Sequence, residues 1–131
     1  MIADSSAWIE FLRATGSPQH LRLKRALARG QRVFMLDVVY QEVLQGAGGV
    51  AQFIQLQTLL DNATTWTSPD SRETARQAAM LYARCRWRGI TIRSPNDCLI
   101  AACAVEAGEP LLHADRDFER IAAIEPRLRL A

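Results

Sequence analysis

The stretch that decides the fold is SPNDCLIAACAVEAGEPLLHADRDFERIA, residues 94–122, because it carries start and stop signals for three successive elements. Ser94 precedes a proline, which is a typical helix start, and the apolar segment that follows ends at Gly108. The short apolar run at residues 111–113 predicts a buried strand, and residues 116–123 predict a last short helix. A helix, a strand and a helix in this order are typical of an α/β protein.

The remainder of the chain repeats this alternation of short strands and helices. Strands are predicted at residues 1–3, 33–36 and 64–66, with a strand or a connection at 90–92 and an edge strand at 128–130. Helices are predicted after Asp4, from a Ser17 cap, from an Asp37 cap, over residues 50–60 and from a Ser68 start that Gly89 ends. Such an alternation predicts a mainly parallel sheet with helices on both faces.

The composition is that of an ordinary globular protein. A length of 131 residues predicts a single domain spanning 1–131, with 49% hydrophobic and 23% charged residues. Apolar runs are too short to span a bilayer, and no secretory signal opens the chain, so a cytoplasmic protein without membrane partners is expected. Three cysteines without a CxxC pair predict buried thiols. A net charge of +2 gives little guidance about partners.

Acidic residues follow the predicted strands or open a helix close to them. Asp4 follows the first strand, Asp97 opens the apolar helix, and Asp115 and Asp117 follow a late strand. Ligands of parallel sheets bind at the carboxyl ends of the strands, which predicts a shared site for these acids. Helix capping is the alternative: Asp4 as an N-cap, Asp97 in a capping box with Ser94, and one of the two late aspartates at the last helix. Caps and a shared site are both compatible with these positions.

Glu42 is less easily explained by a cap. On a helical wheel it lies at roughly 40°, between Val38 and Val39, on an arc that is otherwise apolar. A carboxylate there is costly unless it is paired, hydrogen-bonded or bound to metal. The alternative is a position at the rim of the arc, from which the side chain reaches water.

Several carboxylates within a few ångströms cannot all stay ionised without a compensating cation. Oxygen ligands without a His or Cys cluster suit Mg²⁺ or Mn²⁺ rather than zinc. The predicted metal ligands are Asp4, Asp97 and Asp115, with Glu42 and Asp117 as further or water-mediated ligands. Auxiliary candidates are Ser6, His113 and Asn96, and candidate contacts to a nucleic acid backbone are Arg72, Arg76 and Arg93.

Four segments together resemble the acidic motifs of PIN-domain ribonucleases, and most closely the VapC toxins of bacterial toxin–antitoxin pairs. They are MIADSSAWIEFL, EVLQG, SPNDCLIAA and LLHADRDFERIA, and in this order they cover essentially the whole chain. The resemblance implies a three-layer α/β/α sandwich and Mg²⁺- or Mn²⁺-dependent hydrolysis of RNA. It also implies a homodimer and inhibition by a small VapB-type antitoxin.

Residue by residue, the resemblance assigns the core acidic positions to Asp4, Glu42, Asp97 and Asp115, the frequent fifth acid to Asp117, and the hydroxyl of the first motif to Ser6. The chain departs from the family pattern at two positions. Many relatives carry Thr or Ser at the place of His113, and a neutral cap is commoner at the place of Asp37. Asp37 is not assigned to the site.

Two other classes of protein also place acids at strand ends. A phosphoryl-accepting receiver domain needs an acid pair after the first strand and a late lysine, but Ser5 and Ser6 follow Asp4, and the sole lysine is Lys24. The receiver hypothesis is therefore disfavoured. A non-catalytic RNA-binding or interaction module with the same fold stays open, although the presence of every acid argues against it.

Overall fold

The computed structural model describes all 131 residues of the chain. Four short strands and seven helices follow one another in the order β1 (Ile2–Ala3), α1 (Ser5–Leu12), α2 (Pro18–Ala28), β2 (Phe34–Met35), α3 (Asp37–Leu44), α4 (Val50–Leu60), β3 (Thr64–Thr65), α5 (Ser71–Trp87), α6 (Pro95–Ala107), β4 (Leu111–Leu112) and α7 (Asp117–Ile124).

The strands form one sheet in the order β3-β2-β1-β4, and all neighbouring pairs are parallel. Ile2 is in register with Leu111, so β1 and β4 end side by side. The predicted strand at 128–130 is reduced to a single parallel bridge between Leu111 and Leu130. Residues 90–92 form a connection and not a strand. The parallel sheet predicted from the sequence is confirmed.

Most predicted helix boundaries are correct, but two predicted caps and one predicted capping box are wrong. Asp37 is the first residue of α3 and makes no cap, because Leu36 occupies the capping position. Helix α5 starts later than predicted: Asp70 caps it through the backbone N–H of Glu73, whereas Ser68 precedes the cap and contacts the helix only through the Thr74 hydroxyl. Ser94 does precede α6, but its side chain makes no capping bond, so the capping box with Asp97 is absent. The proline at the start of α6 and the left-handed Gly108 at its end define that helix.

The core is a single cluster of thirty buried apolar residues. Helix α6 contributes most of its length, with residues 100–104 all buried, and packs along α5 and against α7. Elsewhere in the fold α1 packs against α2, and α3 contacts both α1 and α6. All three cysteines are free and buried, as predicted. No helix combines the length and the apolar content that a membrane crossing requires.

Candidate metal centre

The adjacent carboxyl ends of β1 and β4 form the base of the site. The backbone N–H of Asp4 donates to Leu112 O at 2.9 Å, which fixes the end of β1 against the end of β4. Immediately beyond, the Ser6 hydroxyl accepts from the backbone N–H of Ala114 at 2.9 Å. The first turn of α1 is thereby joined to the loop that carries Asp115.

Asp4 is buried, with 3% of its surface exposed, and its two oxygens have different surroundings. Oδ2 accepts from the Ser6 backbone N–H at 3.0 Å and from the Ser6 hydroxyl at 2.5 Å, so the residue is also the N-cap of α1. Oδ1 is fully buried and has no hydrogen-bond partner. Burial raises the pKa of Asp4 above its ordinary value. An unpartnered buried carboxylate oxygen is costly unless a cation faces it.

Asp97 lies in the first turn of α6 and is 7% exposed. No side chain or backbone group donates a hydrogen bond to its carboxylate. Burial and then the nearby charges of Asp4, Asp115, Glu42 and Asp117 raise the pKa of Asp97 to about 7. Asp97 is thus close enough to each of the other predicted acids for their charges to act on it. A bound cation would offset this repulsion.

Asp115 and Asp117 lie beside Asp97, and one oxygen of each of the three side chains falls within 4.8 Å of the others. Asp115, just before α7, accepts at Oδ1 from the Asp117 backbone N–H at 3.0 Å and from Arg93 Nη2 at 2.6 Å. Its Oδ2 makes no hydrogen bond and remains free to face an ion.

Asp117 is fully buried, and both of its oxygens are held by arginines. Oδ2 accepts from the backbone N–H and from Nε of Arg93, each at 3.1 Å, and Oδ1 accepts from Arg120 Nη1 at 3.3 Å. Burial opposes ionisation, but the Arg93 bonds and the two arginine charges outweigh it and lower the pKa of Asp117. Although an oxygen of Asp117 lies within reach of an ion, its lone pairs are largely committed to Arg93 and Arg120. Its geometry therefore suits a residue that positions Asp115.

Glu42 extends from α3 towards the site and is half-buried. Its exposure lies between the two predicted alternatives, a buried place on the apolar arc and a place at the rim in contact with water. The Ser5 hydroxyl approaches its Oε1 at 3.4 Å. Burial and the charge of Asp4 raise the pKa of Glu42, while hydrogen bonding to Ser5 and Asn96 opposes the rise. Asn96 is exposed at the edge of the site. Glu42 is thus close to Asp4 but stands outside the tight cluster around Asp97.

His113 supports the loop between β4 and α7. Its Nδ1 accepts from the Asp115 backbone N–H at 3.2 Å, and its ring lies 5.4 Å from the Phe118 ring. These contacts orient the loop that carries Asp115.

Two arginines at the centre of the site were not recognised as such from the sequence. The sequence indicates Arg93 only as a contact to RNA and gives no role to Arg120, yet both hold Asp117. The spacing of Arg120 three residues after Asp117 on α7 was the one local signal for this pairing.

The donor set fits a hard divalent cation. Asp4 offers a buried oxygen without a partner, Asp97 a carboxylate without a donor, and Asp115 one uncommitted oxygen. Carboxylate oxygens of this kind are the ligands that Mg²⁺ and Mn²⁺ prefer, and no His or Cys lies in the cluster to favour zinc.

Comparison with known proteins identifies the family of the chain. The PIN domain family model matches residues 1–124. The chain belongs to the PIN domain family, in its VapC branch. VapC ribonuclease Mb1587 of Mycobacterium bovis and ribonuclease VapC11 of Mycobacterium tuberculosis are each 37% identical to this PIN domain over 125 residues, which is 95% of the chain and 92% of each relative.

A solved structure shares the fold. It is the crystal structure of VapBC2 from Rickettsia felis bound to a DNA fragment from their promoter, with a TM-score of 0.73 and 17% sequence identity. The match covers 99% of this PIN domain and 96% of the other chain. The predicted three-layer α/β/α sandwich around a parallel sheet is therefore confirmed.

Proposed function

We propose that this PIN domain is a divalent-metal-dependent endoribonuclease that hydrolyses RNA phosphodiester bonds, and that it acts as the toxin of a toxin–antitoxin pair. The observation that carries the nuclease proposal is the approach of Asp97 and Asp115 oxygens to within 4.8 Å of each other, with Asp4 near enough for its charge to act on both. Asp4 lies outside that closest group, but its Oδ1 is buried without a partner. The names of the mycobacterial relatives, which are ribonucleases, support the same reaction class.

In the proposed mechanism Asp4, Asp97 and Asp115 hold one or two Mg²⁺ or Mn²⁺ ions. A bound ion supplies a nucleophilic water at neutral pH and stabilises the charge that develops on the phosphate. Ser6 fixes the rotamer of Asp4, and Arg93 with Asp117 fixes Asp115. Glu42, half-buried beside Asp4, contributes a further or water-mediated ligand. Because Asp97 keeps its proton up to about pH 7, loading of the site releases a proton.

The decisive experiment compares the wild type with Asp97→Asn on a mixed cellular RNA pool, with Mg²⁺, Mn²⁺ or EDTA. The wild type is expected to cut RNA with either metal and to lose activity in EDTA, and the variant is expected to be inactive under all conditions. Asp37→Asn, an exposed acid outside the site, is the matched control and should cut like the wild type. If the wild type cuts nothing with metal, or Asp97→Asn cuts equally well, the nuclease proposal is rejected.

The toxin role predicts partners as well as a reaction. We expect a homodimer and a small VapB-type antitoxin, a partner that the Rickettsia felis VapBC2 complex supports. Helix α4 carries four large exposed apolar side chains, Val50, Phe53, Ile54 and Leu59, that a protein partner would cover. Induced expression should arrest bacterial growth, and Asp4→Ala should relieve the arrest. Equal arrest by the two proteins would contradict the toxin role or the assignment of Asp4.

A further inference from the structure

The C-terminal end of α5 exposes an unusual side chain. Trp87 is the last residue of the helix and is 68% exposed, although the other two tryptophans of the chain are buried or half-buried. Arg86 and Arg88, on either side of it, are exposed as well, and neither forms an ion pair with any carboxylate. A large aromatic surface is thus kept in water between two free cations.

The charge around Trp87 is one-sided. Between Glu73 and Asp97 the sequence contains five arginines and no acid. Three of these arginines are paired with carboxylates elsewhere in the fold: Arg76, Arg84 and Arg93. Arg86 and Arg88 are left without partners. Their positive charge is therefore available to an external anion.

The packing of α5 along α6 brings Trp87 to the end of the molecule that carries the metal centre. Near one end of the pair the Thr74 hydroxyl contacts Glu106, and towards the other Cys85 is close enough to Cys98 to raise its pKa. The two helices are therefore antiparallel, and the end of α5 is level with the first turn of α6, where Asp97 lies. Five residues lie between Trp87 and Arg93, so the two are at most about 22 Å apart.

A site made of five carboxylates repels a polyanion, so the free energy that holds a nucleic acid strand must come from cations and stacking next to the site. Arginines that flank an exposed aromatic ring are the groups that hold single-stranded nucleic acid, because a base stacks on the ring while the cations face the backbone. We propose that Arg86, Trp87 and Arg88 form a platform on which an unpaired RNA base stacks as the strand enters the metal centre.

This inference rests on the proposed function and narrows it to one class of substrate. Bases in a duplex are already stacked on one another and are unavailable to Trp87, whereas bases in loops and single strands are free to stack. The platform therefore favours single-stranded or looped RNA over duplex RNA.

The test measures binding separately from cleavage, in the Asp97→Asn background. Fluorescence anisotropy would follow a fluorescein-labelled single-stranded RNA of mixed sequence, and the duplex of the same strand. Adding Trp87→Ala should weaken single-strand binding about tenfold, since one stacked base contributes roughly 1–3 kcal/mol, while Trp87→Phe should stay close to the parent. Duplex binding should not change with either variant.

A matched control comes from the same helix. Met80 is 43% exposed and lies two turns before Trp87 on the same face of α5, so Met80→Ala removes an exposed apolar side chain further from the site and should leave binding unchanged. Arg86→Gln and Arg88→Gln should each weaken binding at low salt and reduce its salt dependence. The control for charge is Arg29→Gln, an exposed arginine at the end of α2, before β2 and so at the amino end of the sheet, which should do neither.

Three results would overturn the platform. They are equal binding of single-stranded RNA with and without the Trp87 side chain, a loss with Trp87→Phe as large as with Trp87→Ala, and a change of oligomeric state in Trp87→Ala, which would assign Trp87 to an interface between copies. A wild type that cuts no RNA, combined with Trp87-dependent binding, would reject the nuclease proposal and leave the platform standing. In a wild type that does cut, Trp87→Ala should raise KM with little change in kcat.

Discussion

The Ser6 hydroxyl donates to Asp4 Oδ2 at 2.5 Å while Asp4 Oδ1 has no partner in the protein. One hydroxyl thus fixes the orientation of the carboxylate and leaves its other oxygen uncommitted. Because the same hydroxyl accepts from the Ala114 backbone N–H, it also ties Asp4 to the loop of Asp115. Ser6 therefore acts on the metal centre through its neighbours, and a ligand role for the hydroxyl itself is not needed to explain its position.

Ser6→Ala should weaken the binding of Mn²⁺ about tenfold or more, because groups that orient metal ligands typically contribute that much to affinity. Loss of one side-chain hydrogen bond should lower the free energy of unfolding by only about 1 kcal/mol. Isothermal titration calorimetry and urea denaturation measure the two quantities. Ser71→Ala, which removes an exposed hydroxyl at the start of α5, is the control. Unchanged Mn²⁺ affinity in Ser6→Ala would contradict the positioning role.

Asp97 makes the stability of the metal-free protein dependent on pH. Burial and the neighbouring acids raise its pKa from 3.8 to about 7, so the folded state binds the proton more tightly than the unfolded state. Stability contributed by this group is present at acidic pH and is lost as the pH rises through about 7. Asp97→Asn should therefore be more stable than the wild type at pH values above this pKa in EDTA.

Urea denaturation in EDTA across this pH range tests the prediction. The wild type should lose stability on going from acidic to neutral pH, and Asp97→Asn should show a flatter profile with a residual slope from Asp4 and Glu42, whose pKa values are also raised. Each pKa unit corresponds to about 1.4 kcal/mol, so the difference is measurable. A variant that is less stable than the wild type at neutral pH would contradict the charge-repulsion account.

The positions of the acids could be predicted from the sequence because each is fixed by a local signal. Asp4 and Asp115 follow strands, and parallel strands bring their carboxyl ends to one edge of the sheet. Asp97 follows a helix start marked by Pro95, so the sequence also predicts its place in the first turn of α6. Their convergence then depended only on the alternation of strands and helices.

The contacts of the acids could not be predicted in the same way. Arg93 and Asp117 are 24 residues apart and meet because the connection before α6 packs against the start of α7, which no periodicity indicates. Ser94 illustrates the opposite failure. Its sequence signal for a capping box is complete, but its side chain makes no capping bond and Asp97 has no donor. The local preference for a capping box is therefore not met at Asp97, whose carboxylate lies next to the other acids of the site. Such departures from local preference are common at functional sites.

Binding of a divalent ion should stabilise the fold by removing the repulsion among the acids. A concentration one hundred times the dissociation constant adds about 2.7 kcal/mol, which should raise Tm by several degrees in a thermal melt with Mg²⁺ or Mn²⁺. Asp4→Asn should abolish the shift, because it removes the charge behind the unpartnered Oδ1. Asp37→Asn should retain it, since Asp37 is exposed outside the cluster. An equal shift in Asp4→Asn and the wild type would place the bound ion elsewhere.

Far from the metal centre, Glu125 anchors the C-terminal segment through Arg127 and Arg84. Hydrogen bonds from Arg127 lower the pKa of this buried carboxylate from 4.5 to about 2, so its stabilising effect is present above pH 4.5 and is lost as the pH falls towards 2. Glu125→Gln should lower the free energy of unfolding at neutral pH by about 1–3 kcal/mol and should flatten the acid limb of the stability profile.

Glu73→Gln is the matched control, because Arg76 also lowers the pKa of Glu73 to about 2. Both side chains of that pair are largely exposed, so solvent screens their interaction. Denaturant titrations from pH 2 to 7 should show a clear loss for Glu125→Gln and little for Glu73→Gln; equal effects would mean that burial does not strengthen the Glu125 pair.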